Sequence, residues 1–191
     1  MVAAAGPRLG EVYLTSRELQ TRVRELGRQI ARDYEGREPI LIAPLKASLV
    51  FLADLSRAID IPHGIDFLEL ASYAANSDTG GQAQIRLLKD LDEDVADRHV
   101  LIVEDVVDTG LTLNYLVKTL KLRDPATLAV VTLLDRPYRR LVEDLPVRYV
   151  GFTVPDELFV GYGFDLEEHY RNLPDLHVLQ SSSPSGSNPK S

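Results

Sequence analysis

The chain has 191 residues, a length that fits one domain of ordinary size with a buried core. Its 29 acidic and 21 basic residues give a formal net charge of −8, which disfavours long-range attraction to nucleic acid or anionic membranes. The sequence contains no cysteine, so disulfides, thiolate zinc sites and cysteine nucleophiles are excluded.

The first predicted elements are a helix and then a strand followed by a second helix. Thr15 and Glu18 have the spacing of a capping box, and apolar residues then recur at helical spacing until Gly36. The apolar segment PILIAPL at 39–45 predicts a short strand, and LVFLADLSRAI at 49–59 predicts the helix after it. This order begins a βα unit.

The next part of the chain predicts two strands on either side of a long loop. The segments IDFLEL at 65–70 and IRLLKDL at 85–91 have strand-like patterns. Between them, ASYAANSDTGGQAQ at 71–84 is rich in Ser, Asn and Gly and has no apolar periodicity. We expect this segment to be a mobile loop.

The following segments indicate a parallel sheet. VLIV at 100–103, TLAVVTLL at 127–134 and VRYVGF at 147–152 are continuous apolar runs, as in strands that are covered on both faces. A helix predicted over 112–122 connects the first two strands. The alternation of strands and helices indicates an α/β fold, in which ligands bind at the carboxyl ends of the strands.

The two ends of the sequence carry little patterning. The first ten residues, MVAAAGPRLG, lack a basic segment followed by an apolar one, and no apolar run approaches the roughly 18 residues that span a bilayer. We therefore expect a cytoplasmic protein. The segment SSSPSGSNPKS at 181–191 has linker composition and predicts a disordered tail after a single domain over residues 1–180.

Three acidic residues are crowded between a predicted strand and a predicted helix in VLIVEDVVDTGLT. Glu104 and Asp105 are expected at the carboxyl end of the strand, where residues face the ligand crevice. Residues 108–112, DTGLT, combine a glycine, two hydroxyls and the N–H groups that open a helix, and this combination suits phosphate. Carboxylates bind sugar hydroxyls or a hard cation, so the two features together predict a ribose 5-phosphate. A solvated acidic loop that caps the helix is the alternative.

The segment VEDVVDTGLT, which contains these acids and the turn after them, resembles the phosphoribosyl-pyrophosphate motif of the type I phosphoribosyltransferase family. Four further segments resemble the hypoxanthine-guanine branch of that family: LKAS at 45–48, LLKDLDED at 87–94, LLDRP at 133–137 and VPDELFVGYGFDLEEHYRNLP at 154–174. The resemblance extends over residues 10–179. It implies a central, mostly parallel sheet flanked by helices, a small hood formed largely by C-terminal residues, and a mobile lid loop.

The resemblance also implies an activity. The family transfers phosphoribose from 5-phosphoribosyl 1-pyrophosphate to hypoxanthine or guanine with Mg²⁺, giving IMP or GMP and pyrophosphate in purine salvage. A xanthine-guanine enzyme is one alternative, and an RNA-binding regulator with the same fold is another. The net charge of −8 and the nearly complete set of motifs argue against the regulator. A homo-oligomer, either a dimer or a tetramer, is expected, without a nucleic-acid or membrane partner.

By the same resemblance, the acidic motif binds the sugar and its phosphate. Glu104 and Asp105 would contact the ribose hydroxyls directly or through Mg²⁺. Asp165, in the segment that matches the purine-binding part of the family, would approach a second Mg²⁺, usually through water. Asp108 would face N7 of the purine as the general base, or mainly as a hydrogen-bonding group if its basicity stays low. The residues around the 5-phosphate would be Asp108, Thr109, Gly110, Leu111 and Thr112.

Pyrophosphate needs compensating cations as it departs, and the resemblance gives this role to Lys46 and Arg171. Taken alone, each could instead be a solvated surface charge. In the family the peptide between the residues matching Leu45 and Lys46 can adopt a cis form. Ala47 stands where the family usually has glycine, so its methyl group predicts a more restricted loop.

Ser72 and Tyr73 match the residues that open the family's lid. Closure of a lid would exclude water, which would otherwise hydrolyse the activated ribose. A plain connection between two strands is the alternative.

The family's purine pocket corresponds to three residues of this chain that depart from its usual pattern. Leu158 occupies the position of the aromatic residue that stacks on the purine, and Phe159 the position that offers backbone groups to the base edge. Arg136 stands where the family has a lysine that donates to O6 of the base. The alternative for Arg136 is a surface pair with Asp135 or Asp156.

Overall fold

The structure of the chain, a computed structural model, describes residues 8–73 and 84–180. The expected disordered tail at 181–191 and most of the expected lid, residues 74–83, lie outside the described residues. The strands are β1 (Arg8–Leu14), β2 (Ile40–Leu45), β3 (Gly64–Tyr73), β4 (Gln84–Lys89), β5 (His99–Val107), β6 (Thr127–Asp135), β7 (Val147–Thr153), β8 (Phe159–Val160) and β9 (Leu176–Gln180). The helices are α1 (Ser16–Asp33), α2 (Ser48–Ala58) and α3 (Leu111–Lys121). None of these three helices is long and apolar enough to cross a membrane.

A six-stranded sheet with the order β4-β3-β2-β5-β6-β7 forms the centre of the fold. Strands β3, β2, β5, β6 and β7 run parallel, and β4 pairs antiparallel with β3 at one edge. Parallel neighbours need crossover connections, which α2 and α3 provide. The α/β fold with a mostly parallel sheet is therefore confirmed.

Each face of the sheet carries its own hydrophobic core. Successive residues of a strand point to opposite faces, so Leu41 and Leu101 pack in the core that contains the buried residues of α1 and α2. Ile42 and Ile102 pack in the other core, with the buried residues of α3. All four side chains are fully buried. The continuous apolar runs in the sequence follow from this coverage of both faces.

Helix α1 begins with the capping box that the sequence predicts. Glu18 N donates to the Thr15 hydroxyl at 3.3 Å, and Thr15 N donates to Glu18 Oε2 at 2.8 Å. These bonds satisfy two N–H groups at the helix start. The buried face of α1 consists of Leu19, Val23, Leu26, Gly27 and Ile30. Its leucine, valine and isoleucine side chains pack in the same hydrophobic core as residues of β2 and β5, on one face of the sheet.

The strands on either side of the loop expected at 71–84 extend further than the sequence pattern indicates. Strand β3 continues to Tyr73 and β4 begins at Gln84, and these two residues are partners in an antiparallel ladder. Backbone pairing between adjacent strands needs no apolar alternation, so composition alone misses these ends. The backbone of Ser72 and Tyr73 thus belongs to the end of β3.

Strand β5 is also longer than its apolar run. It continues through Glu104 and Asp105 to Val107, because it pairs with β6 as far as the partners Val107 and Asp135. The two acids therefore lie at the carboxyl end of β5, and the strand continues past the apolar run as far as Val107. The following helix begins at Leu111, one residue before the predicted start.

Three short strands form a second sheet, with the order β1-β9-β8, that the sequence pattern does not predict. All neighbours in it are antiparallel. Most of β1 is exposed, and its register with β9 is irregular, so it lacks the apolar alternation that would have identified it. Two of the strands are C-terminal and one is N-terminal, and the hood expected from the resemblance stays a prediction.

Candidate functional site

A cavity of about 300 Å³ lies at the carboxyl ends of β2 and β5. Ligands of parallel α/β sheets bind at this edge. Its walls are formed by residues 44–48, residues 104–110, Leu70, Thr112, Leu113, Asp165 and Arg171. The cavity therefore brings together the acidic motif, the segment around Lys46, and two residues predicted from the C-terminal part of the chain.

Glu104 and Asp105 are adjacent acids on the wall of the cavity. Glu104 is only 7% exposed, and its carboxylate has no hydrogen bond or cationic partner among residues 8–73 and 84–180. Asp105 Oδ1 accepts a hydrogen bond from Ser48 Oγ at 3.3 Å. Burial raises the pKa of Glu104 well above its ordinary value, the neighbouring Asp105 raises it further, and burial also raises the pKa of Asp105. Glu104 is therefore a buried strand residue, and the alternative of a solvated acidic loop is wrong for it.

The turn between β5 and α3 offers a site for an anion. Gly110 has φ of 81°, in the left-handed region that favours glycine, and it immediately precedes the start of α3. A Cβ at this position would also lie 2.7 Å from Leu145 Cδ1. The first N–H groups of a helix lack intrahelical partners and carry partial positive charge. The start of α3 therefore suits a phosphate group.

Asp108 begins this turn and faces two arginines. Arg139 Nε lies 3.1 Å from Asp108 Oδ1, and Arg136 Nη1 lies 3.9 Å from Asp108 Oδ2. Asp108 Oδ1 is buried and accepts no hydrogen bond from the described residues, so the Arg139 contact is an ion pair without hydrogen-bond alignment. Sequence reasoning missed Arg139. The 3₁₀ turn at Pro137–Arg139 places Arg139 on the same side as Arg136, and no pattern in the sequence indicates this turn or the contact.

Arg136 follows β6 and is buried. Its Nη2 donates to the carbonyl of Glu157, and its guanidinium carbon lies 5.5 Å from the centre of the Phe159 ring. The acids proposed as its surface partners contact other arginines: Asp135 pairs with Arg140, and Asp156 pairs with Arg139. Arg136 is thus held next to Asp108 from inside the fold.

Leu158 and Phe159 have opposite environments. Leu158 is 63% exposed, whereas Phe159 is 5% exposed and packs against Tyr13 with ring centres 4.9 Å apart. Neither residue lines the cavity that holds the acids, and neither does Arg136. The predicted purine residues are therefore close to Asp108 but are not part of the same cavity wall.

Lys46 and Arg171 both line the cavity, and both pair with Glu168. Lys46 Nζ lies 3.1 Å from Glu168 Oε2, and Arg171 Nη2 lies 3.3 Å from Glu168 Oε1. Arg171 Nη2 also lies 2.8 Å from Asp165 Oδ1, and Arg171 Nη1 donates to Gly163 O at 2.8 Å. Arg171 is therefore more tightly held than Lys46.

The loop that carries Lys46 packs directly against the C-terminal part of the chain. The peptide between Leu45 and Lys46 is cis, the form that the resemblance implies. Ala47 has φ of −63° and ψ of −37°, so its methyl group causes no backbone strain in this conformation. A Cβ at Gly163 would lie 2.4 Å from Ala47 O, which leaves room only for glycine there.

The acids of the cavity differ in how well they suit Mg²⁺. Within residues 8–73 and 84–180, no three histidine or acidic side chains converge so as to hold a metal ion by themselves. Mg²⁺ commonly uses one or two carboxylates together with water and substrate oxygens. The unpartnered Glu104 and its neighbour Asp105 fit this mode, whereas Asp165 is already engaged by Arg171 and by Glu168 N.

The chain is similar to one protein family and to several known proteins. The family model described as phosphoribosyl transferase domain matches residues 11–165. Hypoxanthine phosphoribosyltransferases of Salmonella typhimurium and Escherichia coli are 46% and 44% identical to this chain over 166 residues, which are 86% of this chain and 92% of each relative. The crystal structure of a hypoxanthine-guanine phosphoribosyltransferase of Bacillus anthracis has a TM-score of 0.84 and 42% identity, and the match covers 92% of this chain and 100% of that chain.

The buried charge of Glu104 predicts a pH-dependent stability. Because folding raises the pKa of Glu104 above its ordinary value of 4.5, its protonation stabilises the fold at low pH, and this contribution is lost as pH rises through the folded pKa. Glu104→Gln should therefore raise the melting temperature of the ligand-free protein at about pH 8, by about 2–4 °C for each kcal/mol, and have little effect near pH 4.

Thermal denaturation at the two pH values measures this difference. Glu143→Gln is the control, because it removes the same charge from an exposed side chain and should give no comparable gain at about pH 8. A Glu104 variant that is less stable than the wild type at the higher pH would contradict the assignment of a destabilising buried charge.

Proposed function

The chain belongs to the phosphoribosyl transferase domain family, and from this premise we propose that it transfers phosphoribose from 5-phosphoribosyl 1-pyrophosphate to hypoxanthine or guanine. The products would be IMP or GMP and pyrophosphate, as in purine salvage. One observation carries the proposal: the buried Glu104, the half-buried Asp105 beside it and the start of a helix share a cavity with Lys46 and Arg171. The names of the relatives from Salmonella typhimurium and Escherichia coli support hypoxanthine as the base.

We assign the ribose 5-phosphate to the end of β5 and the start of α3. Glu104 and Asp105 would accept hydrogen bonds from the ribose hydroxyls, and residues 108–112 would surround the phosphate. The chemistry of the two parts supports this orientation, because carboxylates accept bonds from hydroxyls while a helix start attracts an anion. A ligand bound the other way round would place phosphate against two carboxylates, which repel it.

In the proposed reaction, N9 of the purine forms a bond to C1 of the ribose while the bond from C1 to pyrophosphate breaks. Positive charge develops on the ribose, and the carboxylates of Glu104 and Asp105 would stabilise it. The proton on N7 would pass to Asp108, whose Oδ1 accepts no hydrogen bond from the described residues. Pyrophosphate leaves with the electron pair of the broken bond, held by Lys46 and Arg171.

The base is assigned to the residues around Arg136. Arg136 would donate to O6 of the purine, Leu158 would cover the ring by apolar contact, and the backbone of Phe159 would meet the base edge. The burial of Arg136 beside Asp108 and the exposure of Leu158 support this arrangement. Adenine carries an amino donor at position 6, which would oppose the donors of Arg136.

We also propose that Mg²⁺ is required, with Glu104 and Asp105 as its protein ligands and Asp165 near a second ion. When bound, Mg²⁺ would offset the charge of the pyrophosphoryl group. The cytoplasmic location and the dimer or tetramer expected from the sequence stay predictions.

The substrate assignment predicts a preference among bases. The wild type should use hypoxanthine and guanine at least about tenfold better than adenine in kcat/KM, which is about 1.4 kcal/mol, and Arg136→Ala should narrow that gap. Steady-state kinetics with hypoxanthine, guanine, xanthine and adenine measures both effects. Arg140→Ala is the matched control, because Arg140 pairs with Asp135 and should leave the ratio unchanged.

Equal use of adenine by the wild type would contradict the assignment of a 6-oxopurine. A preference for xanthine would favour the xanthine-guanine alternative, and RNA binding without any transfer would favour the regulator. An unchanged ratio in Arg136→Ala would remove Arg136 from the base site.

The role of Asp108 predicts a loss of turnover without a loss of binding. Asp108→Asn keeps the shape of the side chain but removes the proton acceptor, so kcat should fall by roughly 10² or more while phosphoribosyl-pyrophosphate binding is largely retained. Asp156→Asn is the control, because it removes the other acid that contacts Arg139 and leaves Asp108 in place. Turnover like that of the wild type in Asp108→Asn would refute the role.

The dense negative charge of the cavity predicts a requirement for Mg²⁺. The carboxylates of Glu104 and Asp105 would repel the polyanionic substrate unless cations intervene. Chelation of divalent ions should therefore abolish IMP formation, and added Mg²⁺ should restore it. Full activity in excess chelator would contradict the requirement.

A further inference from the structure

Glu168 joins two cations that come from distant parts of the chain. Its Oε2 lies 3.1 Å from Lys46 Nζ, and its Oε1 lies 3.3 Å from Arg171 Nη2. Lys46 is 122 residues away in sequence and Arg171 is three residues away. Each oxygen of one carboxylate is therefore committed to a different cation, and both cations line the cavity.

The backbone around Glu168 holds its carboxylate in this place. Glu167, Glu168 and Tyr170 have φ values of 50°, 66° and 75°, in the left-handed region that non-glycine residues rarely adopt. Glu168 N also donates to Asp165 Oδ2 at 2.8 Å. A conformation of this kind persists only when surrounding contacts determine it, as in ligand-binding loops.

The ion pair between Lys46 and Glu168 is open to solvent, and the pair between Arg171 and Glu168 is partly open, because the Arg171 side chain is 25% exposed. The side chains of Lys46 and Glu168 are 59% and 62% exposed, so water and ligands reach them. The hydrogen bond from Lys46, and then the one from Arg171, lower the pKa of the Glu168 carboxyl, so it is an anion at neutral pH. An incoming phosphate group would offer the same cations the same kind of acceptor, with more charge.

We propose that Glu168 competes with the pyrophosphoryl group for Lys46 and Arg171 and thereby sets the affinity of the pyrophosphate subsite. The inference rests on the proposed function, which assigns these two cations to pyrophosphate. On binding, Arg171 exchanges Glu168 Oε1 for a ligand oxygen and keeps Asp165 as its partner, while Lys46 exchanges its carboxylate for the ligand. Because the ligand replaces existing ion pairs, pyrophosphate binds more weakly and leaves more readily than it would from unpaired cations.

A supporting role for Glu168 would have the opposite consequence. If the carboxylate served only to hold Lys46 and Arg171 in the geometry that the ligand needs, its removal would weaken the binding of pyrophosphate. Competition and support therefore predict opposite signs for the same substitution.

The test is the dissociation constant of inorganic pyrophosphate, measured by calorimetry on the full chain at a fixed excess of Mg²⁺. Glu168→Gln removes the charge and keeps the size. It should bind pyrophosphate roughly threefold to tenfold more tightly than the wild type, since Lys46 and Arg171 each lose one carboxylate partner. Glu167→Gln is the matched control: it has the same charge change in the same loop, and Glu167 has no ion pair or hydrogen bond among the described residues. It should stay within about twofold of the wild type.

Kinetics gives a second readout that a structural role would not produce. In Glu168→Gln the KM for 5-phosphoribosyl 1-pyrophosphate should fall while kcat does not rise, because tighter pyrophosphate binding slows product release. Unchanged or weaker pyrophosphate binding in Glu168→Gln, or an equal gain in Glu167→Gln, would overturn the proposal.

The proposed function and the role of Glu168 fail separately. Absence of IMP formation by the wild type would count against the proposed function. Tighter pyrophosphate binding by Glu168→Gln in that case would still support competition at the subsite.

Discussion

The burial of the Glu104 carboxylate beside the half-buried Asp105, at the end of a central strand, is the constraint on which the rest of the site depends. Glu104 and Asp105 are of like charge and next to each other, and the described residues give Glu104 no partner. Such a charge costs stability unless a cation or hydrogen-bond donors accompany it. The ligand can supply what the fold omits, so its binding and the stability of the folded chain are linked. A chain selected only for stability would have an apolar residue at Glu104.

The sheet tolerates this charge because the register of β5 is fixed by β2 and β6 as far as Ile102 and by β6 beyond it. The apolar residues that precede Glu104 are fully buried and pair with both neighbouring strands, so the end of β5 cannot slip without exposing them. The same register places Val107 opposite Asp135 and allows Arg136 N to donate to Val107 O at 3.0 Å. Asp108 and Arg136 are the next residues of the two strands, so they meet. The strand pairing that supports the acids therefore also brings Asp108, the proposed general base, next to Arg136, which is proposed to bind the purine.

The central sheet could be predicted well from the sequence, because parallel strands that are buried on both faces consist of consecutive apolar residues. The end of β5 could be predicted less well. Glu104 is a charged residue that ends the apolar run, although its backbone still pairs with β6 as part of the strand. The residues brought to the cavity by the motif could be inferred, whereas the contacts of Arg139 and Glu168 could not. Arg139 reaches Asp108 through a short 3₁₀ turn, and Glu168 meets Lys46 across 122 residues of sequence. Both contacts depend on tertiary geometry that no local pattern records.

Some charged groups around the site already have a partner of opposite charge and others do not, and this difference decides how a polyanion can bind. Arg139 lies against Asp108 and Asp156, and Arg171 lies against Asp165 and Glu168, so the cations already have carboxylate partners. A phosphate group that binds there gains only the difference between its own contacts and those that it displaces. Among the residues that the structure describes, no acid accepts a hydrogen bond from the N–H groups at the start of α3, and no cation pairs with Glu104. Affinity should therefore come mainly from the helix start and from the cation or hydroxyls that meet Glu104, while the arginines and Lys46 determine orientation and the ease of release.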